Sequence, residues 1–258
     1  MGKNMIDENM LYQMIFKRKS FHLFRNIGDE SISLEEIREI EEVYPSLTPL
    51  CPDIKTAVKV LPANETTCKR GQEYCILLYS EKKDNYLQNI GYIGGQLDLY
   101  LVSKNIGTLW YGIGKAEEGL IHGLEFVIMI AIAKIDDERK FRKNMFKSKR
   151  RTAEDIWAGN MLADVADIVR FAPSSCNTQP WMVECNADGL AVYRYKKAGK
   201  RGIMPSDKVS FYNRIDIGIF MCFLELCLKK NGIRYNRSIY VDKGGDVPQT
   251  LNAVYRFV

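Results

Sequence analysis

A pattern that occurs twice in this 258-residue chain restricts its fold more than any single segment does. In each occurrence a short amphipathic helix is followed by Pro-Ser, at Pro45 and at Pro173. A long apolar helix comes later each time and ends before a glycine, Gly107 or Gly232. The repetition predicts two similar halves that pack as two subunits do. The alternative is that amphipathic helices resemble one another by chance.

Periodicity, capping signals and turn residues predict an α+β chain. One helix begins after Ser33, which has Glu36 at the capping-box position, and stops at Pro45. Other helices are predicted over residues 5–16, 85–105, 160–171 and 213–231, and strands over residues 73–80, 108–111, 124–134, 181–185, 190–195, 239–241 and 251–258. The elements do not follow a regular β-α-β rhythm, which favours an α+β fold over a doubly wound sheet.

Composition narrows the class of protein and the compartment. The formal net charge is only +5, which a solvated face explains as well as a nucleic-acid partner does. The 7 cysteines include no C-x-x-C pair and there are only 2 histidines, so we expect reduced thiols and no zinc site. Residues 1–19 lack an apolar signal segment, and the apolar stretch at 123–133 is too short to span a bilayer. The expected location is the cytoplasm.

A cationic segment follows the first predicted helix. Lys17, Arg18 and Lys19 are consecutive and Ser20 comes next. Phosphate suits this combination, because arginine offers a fork of donors, lysine a point charge and serine a neutral hydrogen bond. A basic tripeptide is also a common solvated surface feature, so the segment alone does not establish a binding site.

A second candidate is the segment Ala-Pro-Ser-Ser-Cys-Asn-Thr-Gln-Pro-Trp at residues 172–181. Its prolines, Pro173 and Pro180, restrict the backbone of a loop that carries several hydroxyl and amide groups. Such groups can meet the polar edge of a ring or the hydroxyls of a ribityl chain. An ordinary polar connection would have the same composition.

Together the two segments resemble the FMN-dependent nitroreductase family. The first matches as Arg-Lys-Ser-x-x-x-Phe from Arg18 to Phe24, and the second as Ala-Pro-Ser-Ser-x-Asn-x-Gln-Pro-Trp. Residues 106–112 also look like the family's Gly-rich strand beside the flavin ring, and residues 147–155 are similar to its late basic segment. Two departures are Lys19, where the family has a second arginine, and His22, where another arginine is common.

The resemblance implies a nitroreductase-like fold, with a central mixed or antiparallel sheet flanked by helices. Residues 1–151 would form a first half and residues 152–258 a second, and together they would imitate the family homodimer. A single chain would then contain both halves of the site, so the protein could function as a monomer. The implied cofactor-binding residues are Arg18, Lys19, Ser20, His22, Trp110, Tyr111, Gly112, Lys149, Arg150, Arg151, Pro173, Ser174, Ser175, Asn177 and Gln179. Trp110 could equally fill the core, and the resemblance does not decide which of residues 149–151 faces the phosphate.

The repeat, taken with the resemblance, predicts one FMN per chain. It sets Leu47, Pro49 and Cys51 against Ser175, Asn177 and Gln179, so the first half has lost the polar groups of the loop. No catalytic side chain and no metal are expected, because the flavin itself carries the redox chemistry.

The implied activity is NAD(P)H-driven two-electron reduction of a nitroaromatic, quinone or similar small-molecule acceptor. The first alternative is an FMN-binding protein without turnover. A second is a basic nucleic-acid-binding module at residues 136–151, which Asp136, Asp137 and Glu138 disfavour. Neither a nucleic-acid nor a membrane partner is expected.

Overall fold

The computed structural model describes residues 6–195 and 202–258, which form five α-helices, ten strands and several short 3-10 turns. The first half contains α1 (Glu8–Lys17), α2 (Leu34–Val43), β1 (Thr56–Pro62), β2 (Tyr74–Ser80), α3 (Tyr86–Ser103), β3 (Ile106–Tyr111), β4 (Leu120–Ile121) and β5 (Leu124–Lys134). The second half contains β6 (Trp157–Ala158), α4 (Ala163–Val169), β7 (Trp181–Asn186), β8 (Gly189–Tyr195), α5 (Val209–Lys230), β9 (Tyr235–Ile239) and β10 (Gln249–Phe257).

Local signals account for most of these boundaries. Helix α2 begins at the predicted capping box, where Ser33 and Glu36 bond each other's backbone nitrogen, and it ends ahead of Pro45. Strand β5 has the predicted bounds, and the hairpin of β7 and β8 turns where Asp188-Gly189 predicts it. Helix α1 starts at Glu8; Met5, the predicted start, lies outside the described residues.

Each half has one sheet, and the four main strands follow the same order in both. The first sheet runs β1-β2-β5-β3 and the second β7-β8-β10-β9, with antiparallel pairing throughout these four-strand sets. In each case a hairpin leads into a long helix and a second pair of strands follows it. The outer additions differ, because β4 pairs with β5 whereas β6 lies parallel to β7.

The two long helices, α3 and α5, pack against each other between the halves, and their closest contact is reciprocal. A Cβ at Gly91 would lie 2.0 Å from the carbonyl oxygen of Ile215, and a Cβ at Gly218 would lie 2.0 Å from that of Gln88. Since Ile215 precedes Gly218 by three residues, as Gln88 precedes Gly91, the contact has the form of a two-fold interface. Only glycine permits this approach of two backbones.

The α+β fold class is confirmed, with the sheet divided into one per half. The reciprocal helix contact is compatible with an internal duplication, which stays a prediction, as does the boundary between residues 151 and 152. The predicted register of the repeat needs correction. Cys51 rather than Leu47 corresponds to Ser175, because their backbone nitrogens donate to Asn89 and Asp216 at matching positions of α3 and α5.

Several predicted elements were displaced or missed. Strand β1 was not predicted, since all seven of its residues are half-buried and show no alternation. Helix α4 is shorter than predicted, and β9 begins four residues before the predicted strand and ends two residues before its predicted end. Within the described part of the chain, no helix combines the length and the apolar character needed to cross a membrane.

Candidate functional site

Arg18 lies at the end of α1, where the chain turns toward the first sheet. Its side chain is only 2 % exposed; Nε donates to an Asp98 carboxylate oxygen at 2.9 Å, and Nη1 donates to Ser20 Oγ at 3.0 Å. Ser20 itself pairs with Thr108 on β3, which fixes the turn after the helix. Arg18 Nη2 is buried and has no hydrogen-bond partner. One strong donor of this guanidinium therefore remains available.

Asp98 on α3 holds the neighbouring side chains in place. Besides Arg18, it accepts hydrogen bonds from Thr108 Oγ1 at 2.6 Å and from the Trp110 indole nitrogen at 2.8 Å. A buried carboxylate needs such partners, since an unpaired one costs several kcal/mol. Trp110, which was predicted to bind flavin, therefore also has a structural role: its indole hydrogen bond to Asp98 links β3 to α3.

The polar loop, as we call residues 173–179, has an unusual backbone. Cys176, Asn177 and Gln179 have φ values of 50°, 55° and 50°, in the left-handed region that non-glycine residues rarely adopt. One bond within the loop and two bonds to α5 maintain this shape: the Gln179 nitrogen donates to Ser174 Oγ, and the Ser175 nitrogen and hydroxyl both donate to Asp216. Clustered strain of this kind is typical of ligand-binding segments.

Residues 149–151 contact the polar loop directly. Arg150 Nη1 donates to Asn177 Oδ1, and Asn177 Nδ2 donates to the Lys149 carbonyl at 3.1 Å. The Arg151 nitrogen donates to Gln179 Oε1 at 2.7 Å, and its guanidinium bonds backbone carbonyls, including those of Gln179 and Asp155. The structure therefore brings together two predicted segments that are separate in the sequence.

The three basic residues at 149–151 differ in what they can still bind. The Lys149 side chain is exposed, and most donors of Arg151 are used by carbonyls. Arg150 and Arg151 are half-buried, and each keeps a buried Nε without a partner. Arg150 is the one that lies near the charges of Arg18, Arg142 and Arg170, so we regard it as the best placed of the three for an anion beside the polar loop.

Arg18, Arg142, Arg150 and Arg170 form an arginine cluster at this point. Burial lowers the pKa of Arg142 to about 10, and the charge of Arg18 adds to the effect. Burial likewise lowers the pKa of Arg150 to about 10, followed by the charges of Arg142, Arg18 and Arg170. Both shifts show that positive charge is disfavoured in this place, a cost that a bound anion would offset.

Arg142 and Arg170 were not among the predicted site residues. They lie on or beside the charged segment 136–151, in which Phe141 and Met145 are buried and anchor the chain, so that Arg142 turns inward. The two apolar residues at a spacing of four were the available signal.

The end of β3 meets the start of α5 beside the polar loop. The Tyr212 hydroxyl donates to the Gly112 carbonyl at 2.6 Å, and a Cβ at Gly112 would lie 2.7 Å from the Tyr212 ring. Tyr111 is half-buried under the guanidinium of Arg70, 5.7 Å from its ring centre. Gly112 is thus needed for a close approach between the halves, and Tyr212 is a neighbour that the sequence did not indicate.

Two predicted residues are not brought into the cluster. His22 is exposed, and Lys19 donates to the Lys140 carbonyl at 2.9 Å with its ammonium over the Phe21 ring. Pro173 is buried and serves to shape the polar loop. Among the other predicted residues, Arg18 donates to Ser20, and Arg150 and Arg151 contact Asn177 and Gln179.

Comparisons with known proteins agree on one family. A family model described as "Putative TM nitroreductase" matches residues 10–228, more than half of the chain. Among solved structures, a putative nitroreductase from Thermotoga maritima is 14% identical with a TM-score of 0.61, covering 99% of this chain and 95% of that one. A likeness at this identity concerns the fold.

Other solved structures match a part of the chain. A putative nitroreductase in complex with FMN from Desulfovibrio desulfuricans is 18% identical, with a TM-score of 0.40, and covers 57% of this chain and 94% of that one. A putative NADH oxidase from Clostridium acetobutylicum is 16% identical, with a TM-score of 0.38, and covers 55% and 96%. A search of curated proteins found no match.

Proposed function

Because the chain belongs to the nitroreductase family described as "Putative TM nitroreductase", we propose that it is an FMN-dependent oxidoreductase. In this proposal NAD(P)H supplies two electrons, and a nitroaromatic, quinone or similar small molecule accepts them. One FMN binds per chain, in the region formed by the arginine cluster and the polar loop. A flavin-binding protein without turnover is the second candidate.

The arginine cluster is the observation that carries the proposal. Three of its guanidinium groups have a buried donor without a hydrogen-bond partner: Arg18 Nη2, Arg150 Nε and Arg170 Nε, the last lying 3.3 Å from an Asp167 carboxylate oxygen. Unsatisfied buried donors are costly, and a phosphate dianion is a ligand whose oxygens can satisfy several of them at once. The residues present therefore fit the terminal phosphate of FMN.

The polar loop and the end of β3 suit the rest of the cofactor. Ser174, Asn177 and Gln179 carry hydroxyl and amide groups of the kind that bind ribityl hydroxyls and the polar ring edge. The amide oxygens of Asn177 and Gln179 already accept bonds from Arg150 and Arg151, and each can accept a second bond from a ligand. The backbone at Tyr111 and Gly112 would lie beside the ring, as in the segment that it resembles. Bound FMN would supply the chemistry, accepting hydride at N5 and passing two electrons on.

The protein's own tasks are then binding and electrostatics. Arg18 and Arg150 hold the anionic group, while Asp98 fixes Arg18 through the 2.9 Å ion pair. Preorganised donors of this kind stabilise negative charge without rearrangement during the reaction. The inward position of Arg142 and Arg150 also favours an enclosed small anion over nucleic-acid phosphates as the partner of this basic segment.

The counterpart region in the first half supports a single FMN per chain. At the corrected register Leu50 and Cys51 stand opposite Ser174 and Ser175, so the hydroxyls are missing there. Arg237 also donates to Glu225 and, at 3.2 Å, to the Leu50 carbonyl, so both of its terminal nitrogens have partners. At this register Asp53 and Lys55 stand opposite Asn177 and Gln179, so the counterpart segment differs from the polar loop chiefly in lacking the two serine hydroxyls.

Reconstitution with FMN followed by steady-state assays tests the proposal. We expect flavin binding, and oxidation of NADH or NADPH that depends on a quinone or nitroaromatic acceptor. Arg150→Gln should weaken FMN binding by roughly 10- to 100-fold, the value of a charged hydrogen bond, whereas Lys149→Gln is the matched control with little effect. FMN binding without NAD(P)H oxidation would support the second candidate, and no flavin binding would refute both.

A further inference from the structure

Asp216 is a buried carboxylate beneath the polar loop. It lies on α5 and is 2 % exposed; its Oδ1 accepts hydrogen bonds from the Ser175 nitrogen at 3.0 Å and from the Ser175 hydroxyl at 3.1 Å. Its second oxygen, Oδ2, is buried without a partner. A carboxylate in this state is strongly desolvated and only half satisfied.

The opposite helix carries out the same task with a neutral residue. Asn89 precedes Gly91 by two residues, as Asp216 precedes Gly218, and its Oδ1 accepts a hydrogen bond from the Cys51 nitrogen at 3.0 Å. An amide oxygen is therefore sufficient to tie such a loop to the central helix. Holding the loop does not by itself require the acid at position 216.

Protonation removes most of the cost of burying the acid. Burial raises the pKa of Asp216 to about 7, and the two hydrogen bonds from Ser175 oppose that rise. Other titratable groups on the helices around Asp216 bond other partners: Tyr212 on α5 donates to the Gly112 carbonyl, and Tyr92 on α3 donates to Glu225. In the loop, Cys176 is exposed and Arg150 donates to Asn177.

We propose that Asp216 is a positioning residue that holds the polar loop as a neutral acid and takes up a proton when an anionic flavin nucleotide binds. This rests on the proposed function. Like charges in a poorly solvated interior repel over many ångströms, so a dianion beside the loop favours the neutral form of the carboxyl. The neutral acid still accepts the bond from the Ser175 nitrogen, as the amide of Asn89 does for Cys51.

Thermodynamic linkage gives the size of the effect. If FMN raises the pKa of Asp216 by one further unit, about half a proton is taken up per FMN at pH 7.5, where the cofactor phosphate is already mostly dianionic. The dissociation constant of FMN should then rise about fivefold between pH 7 and pH 9. A residue with a purely structural role would produce neither result.

Two measurements on the intact protein test the proposal. Calorimetry of FMN binding at pH 7.5, in buffers of different ionisation enthalpy, should show proton uptake by the wild type. Fluorescence titrations from pH 7 to pH 9 should show the fivefold weakening for the wild type and less than about twofold for Asp216→Asn. Asn89→Asp is the matched control: it places an equivalent acid away from the proposed site and should keep the wild-type pH profile.

The possible results distinguish a failure of the proposed role of Asp216 from a failure of FMN binding itself. Equal pH profiles for wild type and Asp216→Asn, or no proton uptake by the wild type, would overturn the role of Asp216 while leaving FMN binding intact. The calorimetric result decides the matter even if Asp216→Asn does not fold. Absence of FMN binding to the wild type at every pH would instead refute the proposed function.

Discussion

Asp98 and Glu225 occupy equivalent positions in the two central helices, yet their surroundings have opposite consequences. Each follows its helix-crossing glycine, Gly91 or Gly218, by seven residues, and both are almost fully buried. Both accept several hydrogen bonds and pair with one arginine. Asp98 pairs with Arg18, and Glu225 pairs with Arg237 at 2.6 Å.

The two arginines differ in what remains of their donors. Three tyrosines surround Glu225 and donate to it: Tyr92, Tyr235 and Tyr255. Arg237 Nη2 donates to the Leu50 carbonyl, whereas Arg18 Nη2 has no hydrogen-bond partner. The same framework therefore ends in an arginine with partners on both terminal nitrogens on one side and in unsatisfied cationic donors on the other. In our account, the end that binds an anion is the one where arginine donors lack partners within the protein.

The largest expected effect comes from the contact that both halves share. Gly91→Ala and Gly218→Ala each place a Cβ 2.0 Å from a backbone carbonyl oxygen of the other helix, so each should lower the free energy of unfolding by about 3 kcal/mol. Denaturant titration measures this loss. Gly119→Ala is the control, since its Cβ would meet nothing within 4 Å. If the two variants lost markedly different free energies of unfolding, the contact between α3 and α5 would not be symmetric as described.

Asp216→Asn should change how stability depends on pH. A folded pKa of about 7 lies above the unfolded value of about 3.9, so this group's contribution is complete below the unfolded pKa and is lost as the pH rises through 7. The variant should be more stable than the wild type by about 2 to 4 kcal/mol at pH 8.5 and nearly equal at pH 4. Asn89→Asp should acquire the wild-type kind of dependence at its own position. Parallel stability curves for wild type and Asp216→Asn would contradict this.

Replacing Arg18 or Arg237 by lysine should affect FMN binding at one end of the molecule only. Arg18→Lys keeps a cation beside Asp98 but loses the fork of donors, and FMN binding should weaken by roughly 10- to 100-fold. Arg237→Lys, its counterpart, should change the FMN dissociation constant by less than about twofold. Fluorescence titration of flavin on folded samples makes the comparison. Equal losses in both variants would mean that the two ends do not differ as proposed.

The smallest effects are expected at His22 and Lys19. His22 is exposed, and Lys19 donates to a backbone carbonyl, so neither is placed to bind an enclosed anion directly. His22→Ala and Lys19→Ala should each weaken FMN binding by less than about threefold, as expected for exposed charges. A loss as large as that of Arg18→Lys would show that the cofactor extends to the outer surface of this turn.

The sequence was most informative where local chemistry determines structure. The capping box of Ser33 and the apolar run of β5 act within a few residues, and both predictions are confirmed. Strand β1 was missed because its partly exposed residues, Lys59 among them, obtain their order from pairing with β2. Pairing partners that are distant in sequence leave no local periodicity.

The site was predictable only in part for a similar reason. The family resemblance indicated the polar loop and residues 149–151, which the structure brings into contact. It did not indicate Asp98 or Asp216, the carboxylates that fix Arg18 and Ser175. An acid flanked by apolar residues within a long helix is the signal that could have found them, since a buried carboxylate implies donors around it.

The central claim is that one end of this symmetric framework binds FMN and the other does not. Saturating the purified protein with FMN, removing the excess and measuring flavin absorbance against protein concentration tests it most directly. We expect one FMN per chain, reduced toward zero in Arg18→Lys with Arg150→Gln and unchanged in Arg237→Lys. A ratio near two, or bound flavin that persists without Arg18 and Arg150, would contradict the account.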